Sequence, residues 1–490
     1  MNKNYLNYLI KTRKALIIFF FAAYLCVSLT WNLAGVNTVP GYGFYSAVKA
    51  AIAISVVLCY ALPVLLFAFV HQRSSADLFF ALPVSRKEQR LTILLFAFGI
   101  AFGYFLITTV LAWLLFGLRT VTILRLLGIL LFAAFLVITL LVFNSVLYLL
   151  GNNMIDGVVT LAAYTMFPLF GTIAEALIVS NIVAGGTPQV REAIFDFLSP
   201  VMLLVRNFSA MVSINGWLYM PFNVPYLILS IAWLILGWFG LRKQFDERKS
   251  ERAGQISDHP LTYPAIINLY AVLFLLVFAS FLVSSPSAEL IVMYVFLLVC
   301  YVAATFLYRR KLKVDAKTVG IYLLEAVLCA ALMFAGWKTQ GFGSAKNYPL
   351  KEEPYALYEY NVQTDLNNLG TISLTADSAY VQFSIPVSTD GSNNDKELLD
   401  LLEAYRHRAI DEFYENRSPA ETASFRVYIA KDARTHYENS FYYNPSVPFT
   451  EEEMKTISKY GDVNIYTYGE NWPEEEYKLD EFLKKRDALE

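Results

Sequence analysis

The chain has 490 residues, 57% of them hydrophobic, with a mean hydropathy of +0.46 and a formal net charge of −2. That apolar share is high for a soluble domain, and uncharged stretches such as 16–31 and 50–70 exclude most soluble-enzyme classes in favour of helices that cross a bilayer. The near-neutral total hides a division: up to Gly343, 24 Lys and Arg stand against 13 Asp and Glu, and from Ser344 onward 15 stand against 28, balances of +11 and −13.

A basic N-terminus, Lys3 to Lys14, precedes the first apolar stretch. That stretch is long and no small-residue cleavage signature closes it, so it reads as a retained helix rather than a signal peptide. A helix of about 20 apolar residues covers roughly 30 Å of hydrocarbon. On that measure nine spans are expected, near 15–34, 46–70, 91–116, 122–149, 156–180, 222–241, 265–284, 289–308 and 318–336. Pro63 inside the second is tolerable because neighbouring helices satisfy the freed backbone group. Cys26, Cys59, Cys300 and Cys329 all fall in apolar stretches and are expected to be buried small side chains. The segment after Ser344 has no cysteine, hence no disulfide and no thiolate metal site.

Orientation follows from the basic residues. Four ends or loops, Lys3–Lys14, Arg73–Arg90, Arg242–Arg252 and Arg309–Lys317, hold 18 Lys and Arg. The opposite side carries only Lys49, Arg119, Arg125, Arg191, Arg206 and Lys338. The expectation is a cytoplasmic N-terminus and, with nine spans, an extracytoplasmic C-terminal domain.

The loop between spans two and three, HQRSSADLFFALPVSRKEQR from His71 to Arg90, is the most specific signal. Its first half is helix-capable around Asp77, and Leu78, Phe79, Phe80 and Leu82 place large apolar groups outside any span. Pro83 breaks the pattern, and Ser85 with Glu88 three residues on has the spacing of a capping box. Two readings stand side by side: a short helix that docks into a groove on a cytoplasmic partner, or an interfacial loop whose aromatic groups lie among the headgroups.

This loop resembles the first cytoplasmic loop of ABC-2-type permeases from Firmicutes, where Leu-Pro followed by Ser/Thr-Arg is common; here those residues are Leu82, Pro83, Ser85 and Arg86. Six spans with a long passage between the fifth and sixth are similar to the same family. The resemblance covers about residues 1–242. It implies a half-transporter in the bacterial cell membrane that pairs with a second permease subunit, identical or homologous, and binds cytoplasmic ABC ATPase subunits. ATP and Mg would be held in those partners, with no cofactor in this chain. Ser75–Leu82 would be the coupling helix, with Asp77, Leu78, Phe79, Phe80, Leu82, Pro83 and Arg86 as its contact residues. The later helices and outer region resemble long-form permeases linked to antimicrobial-peptide or envelope-stress systems.

The passage 180–221 alternates polar turns with apolar runs and reads as short helices dipping into the outer leaflet, or as a packed loop. The charged stretch Arg242–Gly254 separates the six-span core, 1–242, from a linker with three accessory helices, 243–343. Glu175, late in span five, is a candidate for the translocation path, since an intramembrane carboxylate pairs, neutralises or faces a cavity. Glu325 in span nine reads as a packing or pairing group, and Asn144, Asn152 and Asn153 as hydrogen-bonding groups between helices.

Residues 344–490 read as a small α+β domain. Alternation over 370–387 predicts a strand, and the stripe Leu398, Leu399, Leu402, Tyr405, Ile410 and Phe413 predicts a helix capped by Asn394 or Asp395. Strands are expected near 424–430, 436–443 and 463–468. One helix is expected behind the Thr450/Glu453 cap and another over 474–489. Fifteen of the 32 tyrosines lie here; they suit a recognition surface for a cationic peptide or envelope ligand, or belong partly to the core.

No phosphate loop, GxGxxG, HExxH or GxSxG occurs, and the four histidines lack ligand spacing. An acidic domain without a basic stripe disfavours nucleic acid. The sequence is read as the permease subunit of an ATP-binding cassette transporter, not itself an enzyme, with a role in handling or resisting antimicrobial peptides or envelope-active compounds. The alternative is a non-transporting membrane sensor or scaffold whose outer domain binds envelope ligands.

Overall fold

The computed structural model describes residues 3–35, 42–118, 121–186, 194–212, 223–309, 316–344, 355–365, 378–388, 396–416, 423–430, 439–443, 449–468 and 475–487. Twelve helices come first: α1 (Lys3–Thr12), α2 (Lys14–Gly35), α3 (Tyr42–Leu66), α4 (Arg73–Phe80), α5 (Arg86–Ala112, prolonged by a wider turn over Trp113–Gly117), α6 (Ile123–Leu150), α7 (Met154–Ile182), α8 (Pro200–Met211), α9 (Val224–Asp246), α10 (Tyr263–Ser284), α11 (Ala288–Arg309) and α12 (Ala316–Lys338). Eight of them, α3, α5, α6, α7 and α9 to α12, are long and apolar enough to cross a membrane. The chain is thus a multi-pass helical membrane protein. The first of the nine expected spans corresponds to α2, which is 22 residues long overall, with a described apolar stretch of Lys14–Tyr24.

By packing, the chain divides into two compact units, Met1–Phe170 with Ile194–Tyr270, and Gly171–Ala193 with Ala271–Glu490. The division follows contact, whereas the boundaries at 242 and 343 follow composition.

In the first unit α6 is central and packs on α3, α5, α8 and α9. Small residues let α9 come close: a Cβ on Gly237 would lie 3.1 Å from Val142 Cγ1, and one on Gly240 3.2 Å from Val146 Cγ1. Buried polar groups tie helices together. The Tyr24 hydroxyl donates to Ala51 O at 2.5 Å, and Asn144 Nδ2 donates to Cys59 O at 3.0 Å. Arg125 lies over the Tyr45 ring at 5.0 Å and donates to Met211 O. Of the passage 180–221, the described residues are the end of α7 with its turn to Gly186, a short turn, Ile194–Leu198, and α8, which Ser199 caps by accepting from Met202 N. The cysteine expectation divides: Cys59 and Cys329 are buried, but Cys26 and Cys300 are exposed. In a bilayer an apolar side chain on the outer face of a span meets lipid and needs no protein cover.

In the second unit the C-terminal region forms a six-stranded antiparallel sheet of order β4-β3-β1-β2-β5-β6. Its strands are β1 (Tyr355–Asp365), β2 (Ser378–Ser388), β3 (Ala423–Ala430), β4 (Asn439–Tyr443), β5 (Val463–Tyr468) and β6 (Glu476–Lys478), joined by α13 (Lys396–Asn416), α14 (Glu451–Ile457) and α15 (Leu479–Asp487). Alternate residues fill one face: Tyr358 and Tyr360 of β1, Val381, Phe383 and Ile385 of β2, and Phe425 and Val427 of β3 are buried with Leu398, Leu402 and Tyr405 of α13.

The α+β expectation stands, with three differences. Strand β1 is not among the expected strands; it pairs with both β2 and β3, and of the two readings of its tyrosines the core one holds for Tyr358 and Tyr360. The expected helix over 474–489 begins as strand β6, which pairs with β5. The early part of the expected 370–387 strand and the Asn394 or Asp395 cap lie outside the described residues. The Thr450/Glu453 capping box is formed in both directions.

Candidate functional site

A short turn, Ala68–His71, leads from α3 into α4. Here the chain leaves the span with two aromatic residues that cannot remain in water cheaply, and it solves this locally. Phe69 packs on Phe79 at 4.4 Å, and Phe80 and Phe67 pack on Phe245 of α9 at 6.1 and 5.5 Å. The Arg86 guanidinium covers Phe80 at 4.3 Å. Phe79, Phe80, Leu82 and Arg86 are therefore half-buried and hold α4 in place, while Asp77 and Pro83 are exposed and Leu78 is 67% exposed. Ser85 caps α5 by accepting from Glu88 N, and its hydroxyl donates to the Glu88 carboxylate at 3.1 Å. Gln89 Nε2 donates to Phe79 O at 2.8 Å, closing the turn between α4 and α5.

The segment after α9 is bound to this junction chiefly through its backbone. Arg86 Nη1 donates to Asp246 O and Arg248 O at 3.0 and 2.6 Å, and Arg73 Nη2 to Glu251 O at 3.3 Å. Arg90 pairs with Asp246 at 3.1 Å. The buried Arg248 caps the end of α6, donating to Leu149 O at 2.6 Å and Gly151 O at 2.8 Å, which satisfies carbonyls that a helix terminus leaves open. Asn152 and Asn153, expected to bond between helices, instead donate to Ile256 O and Gln255 O. Gly254, at φ +78°, makes the turn that brings its own N–H to Asn152 O. Asp156, in the first turn of α7, accepts from Ser257 N at 2.9 Å and from the Tyr263 hydroxyl at 2.7 Å. Asp156 and Arg248 carry no motif of their own; a charge one turn from a span end, with a second across a short loop, is the signal the sequence offers for them.

Burial and the neighbouring Arg248 charge lower the His71 pKa to about 3, so the imidazole is neutral at ordinary pH and stands edge-on to Tyr148 at 4.5 Å. Burial, then Arg252, lowers the Arg248 pKa to about 10. Glu175 is half-buried on α7, 19 residues beyond Asp156 in the chain, and belongs to the second unit. Glu325 is half-buried in α12.

A second set of contacts joins the end of α7 to the C-terminal domain within the second unit. The Tyr414 hydroxyl donates to Ile182 O at 2.7 Å and accepts from Ala184 N at 3.2 Å. Tyr442 N donates to Gly185 O at 2.9 Å, and Gly186 bridges to Phe441 at the β4 edge. Gly185, at φ +73°, lies so close to Tyr443 that a Cβ would sit 2.3 Å from its ring. Trp337 of α12 packs on Phe413 and Tyr414 at 5.4 and 5.0 Å.

Among the described residues no group of three His, Cys, Asp or Glu side chains is placed to hold a metal ion. What the junction offers is an exposed, anchored helix outside the long apolar helices. No protein-family model, no curated protein and no solved structure matches the chain. Its class is accordingly set by its own architecture: a polytopic helical membrane protein with a C-terminal mixed α/β domain, a general shape that ABC-2-like permeases share.

Proposed function

We propose that this chain is the membrane-spanning subunit of an ATP-driven transporter of the ABC-2 type. The observation that carries the reading is α4: a short helix between two spans, anchored by Phe79 and Phe80, that presents Asp77 and Leu78 outward. A partner ATPase gripping that ridge would move α4, and through Arg86, Arg90 and the Asp246 pair it would move the ends of α5 and α9. On this reading the N-terminus and α4 face the cytoplasm and the C-terminal domain faces outside, as the basic loops favour. Two such subunits would form the path, with Glu175 near it. The domain's −13 balance would draw cationic, envelope-active peptides towards it.

The direct test is co-expression with a candidate ABC ATPase and measurement of ATP turnover in nanodiscs. Stable association and turnover that responds to a cationic peptide support the reading, and failure of the full chain to bind any ATPase encoded with it would overturn it. One observation favours the sensor or scaffold alternative, namely the hydrogen bonds that join the C-terminal domain to residues 182–185. A sensor would keep its peptide binding with no ATPase attached.

A further inference from the structure

At the C-terminal end of α6, three enclosed side chains from separate segments of the first unit come together. They are His71 from the turn before α4, Tyr148 from the last turn of α6 and Arg248 from the segment after α9, with exposures of 3%, 0% and 7%. The His71 and Tyr148 rings meet edge to face at 4.5 Å, and the Arg248 charge acts on both. Each residue carries polar atoms with no hydrogen-bond partner among the described residues: both His71 ring nitrogens, the Tyr148 hydroxyl and Arg248 Nε. The Asn152 backbone approaches the imidazole without reaching hydrogen-bond geometry. Buried polar groups are nearly always satisfied, so three such residues in one place call for a ligand.

Charge decides which ligand. Arg248 is a buried cation whose Nη atoms donate to Leu149 O and Gly151 O, where the negative end of the α6 dipole offsets part of its charge. Among the described residues no carboxylate pairs with it, and the charge that acts on it most strongly is Arg252, of the same sign. A buried charge without a counter-charge is costly. The spare groups can all donate: a guanidinium N–H, a phenol O–H and the one N–H of a neutral imidazole. A water would satisfy these donors but bring no counter-charge. We propose that His71, Tyr148 and Arg248 form a binding site for a small monatomic anion, chloride by its chemical class. The enclosure sets the size, because a phosphate or carboxylate on a larger molecule would need an opening that side chains so fully covered do not leave. The bound anion compensates Arg248 and fastens the entry to α4, the end of α6 and the segment after α9 to one another. The stability of this junction then depends on halide, whether or not the chain works in a transporter.

The test follows the thermal midpoint of the full-length chain in nanodiscs while gluconate, too large for the site, is replaced by chloride or bromide at constant ionic strength. A saturable rise of about 2–4 °C is expected. Tyr148→Phe keeps the ring against His71 and removes one donor. It should raise the half-maximal halide concentration about tenfold, the usual weight of a hydrogen bond to a charged group. Arg248→Met should abolish the response; if that variant does not fold, Tyr148→Phe decides alone. In crystals of the full-length chain soaked in bromide, an anomalous peak in contact with Arg248 Nε and the Tyr148 hydroxyl is expected. Water without anomalous signal at that place overturns the inference, as does equal stability in gluconate and halide. An unchanged half-maximal concentration in Tyr148→Phe overturns it too. A bromide peak without saturable stabilisation would be an adventitious ion only, and would equally overturn it.

Discussion

At the scale of single residues, burial decides the state of several ionisable groups. His71 is neutral in the folded protein because burial and Arg248 depress its pKa from 6.5 to about 3. A depressed folded value means that the contribution to stability is complete above about pH 6.5 and is lost as pH falls towards 3. Thermal unfolding of the solubilised chain should therefore fall in midpoint between pH 6.5 and 4, and more steeply than in His71→Phe, which keeps a ring against Tyr148 without a titrating nitrogen. Equal pH slopes for the two proteins would refute this. In the C-terminal domain Arg406, 2% exposed, binds the Glu403 carboxylate at 2.9 Å and reaches the Tyr443 hydroxyl, while Tyr358 donates to the same carboxylate. Removing one partner of a buried pair leaves the other charge stranded. Arg406→Met should cost roughly 3–5 kcal/mol by that reasoning, read as earlier urea-dependent proteolysis of the domain in the full-length chain, with Glu403→Gln milder.

At the scale of elements, α4 separates anchoring from presentation. Phe80 lies between Phe245 and Arg86, so Phe80→Ala should destabilise the junction by about 1–3 kcal/mol, a usual range for loss of partly buried packing. Leu78→Ala should change stability by less than about 0.5 kcal/mol, as exposed positions usually do, yet, on the transporter reading proposed above, lower co-purification with the partner ATPase. If both variants lose stability equally, or Leu78→Ala leaves association untouched, α4 has no outward role. The helix was legible from its polar first half, from Pro83 beyond its end and from the Ser85 cap that starts α5, but the inward turn of its aromatic residues was not. Phe245 lies 165 positions further on, and no local pattern announces it. Strand β1 illustrates the same limit. Its Tyr-rich stretch fits a surface as well as a core, and the decision is made by pairing with β2 and β3.

At the scale of the whole molecule, the unequal basic loops yield a topology prediction. In a cysteine-free background, Ser74→Cys and Ser384→Cys, both at exposed positions, should label with a membrane-impermeant maleimide from inside and outside respectively. Labelling of both from one side would exclude an odd number of spans between them and the assigned orientation. The C-terminal domain offers a second test. Its residues Tyr414, Tyr442 and Tyr443 cover the segment from Ile182 to Gly185. On the transporter reading proposed above, a chain ending at Ser344 should assemble and retain basal ATP turnover with its partner, but lose most of the turnover response to cationic peptide. An unaltered response in a correctly assembled truncation would make the domain a passive cover.

The sequence by itself determined eight of the nine expected spans, with boundaries to within about five residues, the charge division, the α13 stripe and the Thr450/Glu453 cap; the first expected span is met only by the shorter apolar stretch Lys14–Tyr24. Each depends on a run, a period or a spacing of three, and so on residues that are close in the chain. Tertiary structure decided what is remote. It brought the linker carbonyls to Arg73 and Arg86, set Arg248 over the end of α6, gave Asp156 both Ser257 and Tyr263, and turned Phe79 and Phe80 inward while leaving Leu78 out. It also placed Tyr358 and Tyr360 in the core and seated Gly185 against Tyr443. The physical reason is common to all of these. Hydrophobic periodicity tells a residue which medium it prefers, but a guanidinium, a carboxylate or a tyrosine satisfies either medium according to the partners that folding brings to it.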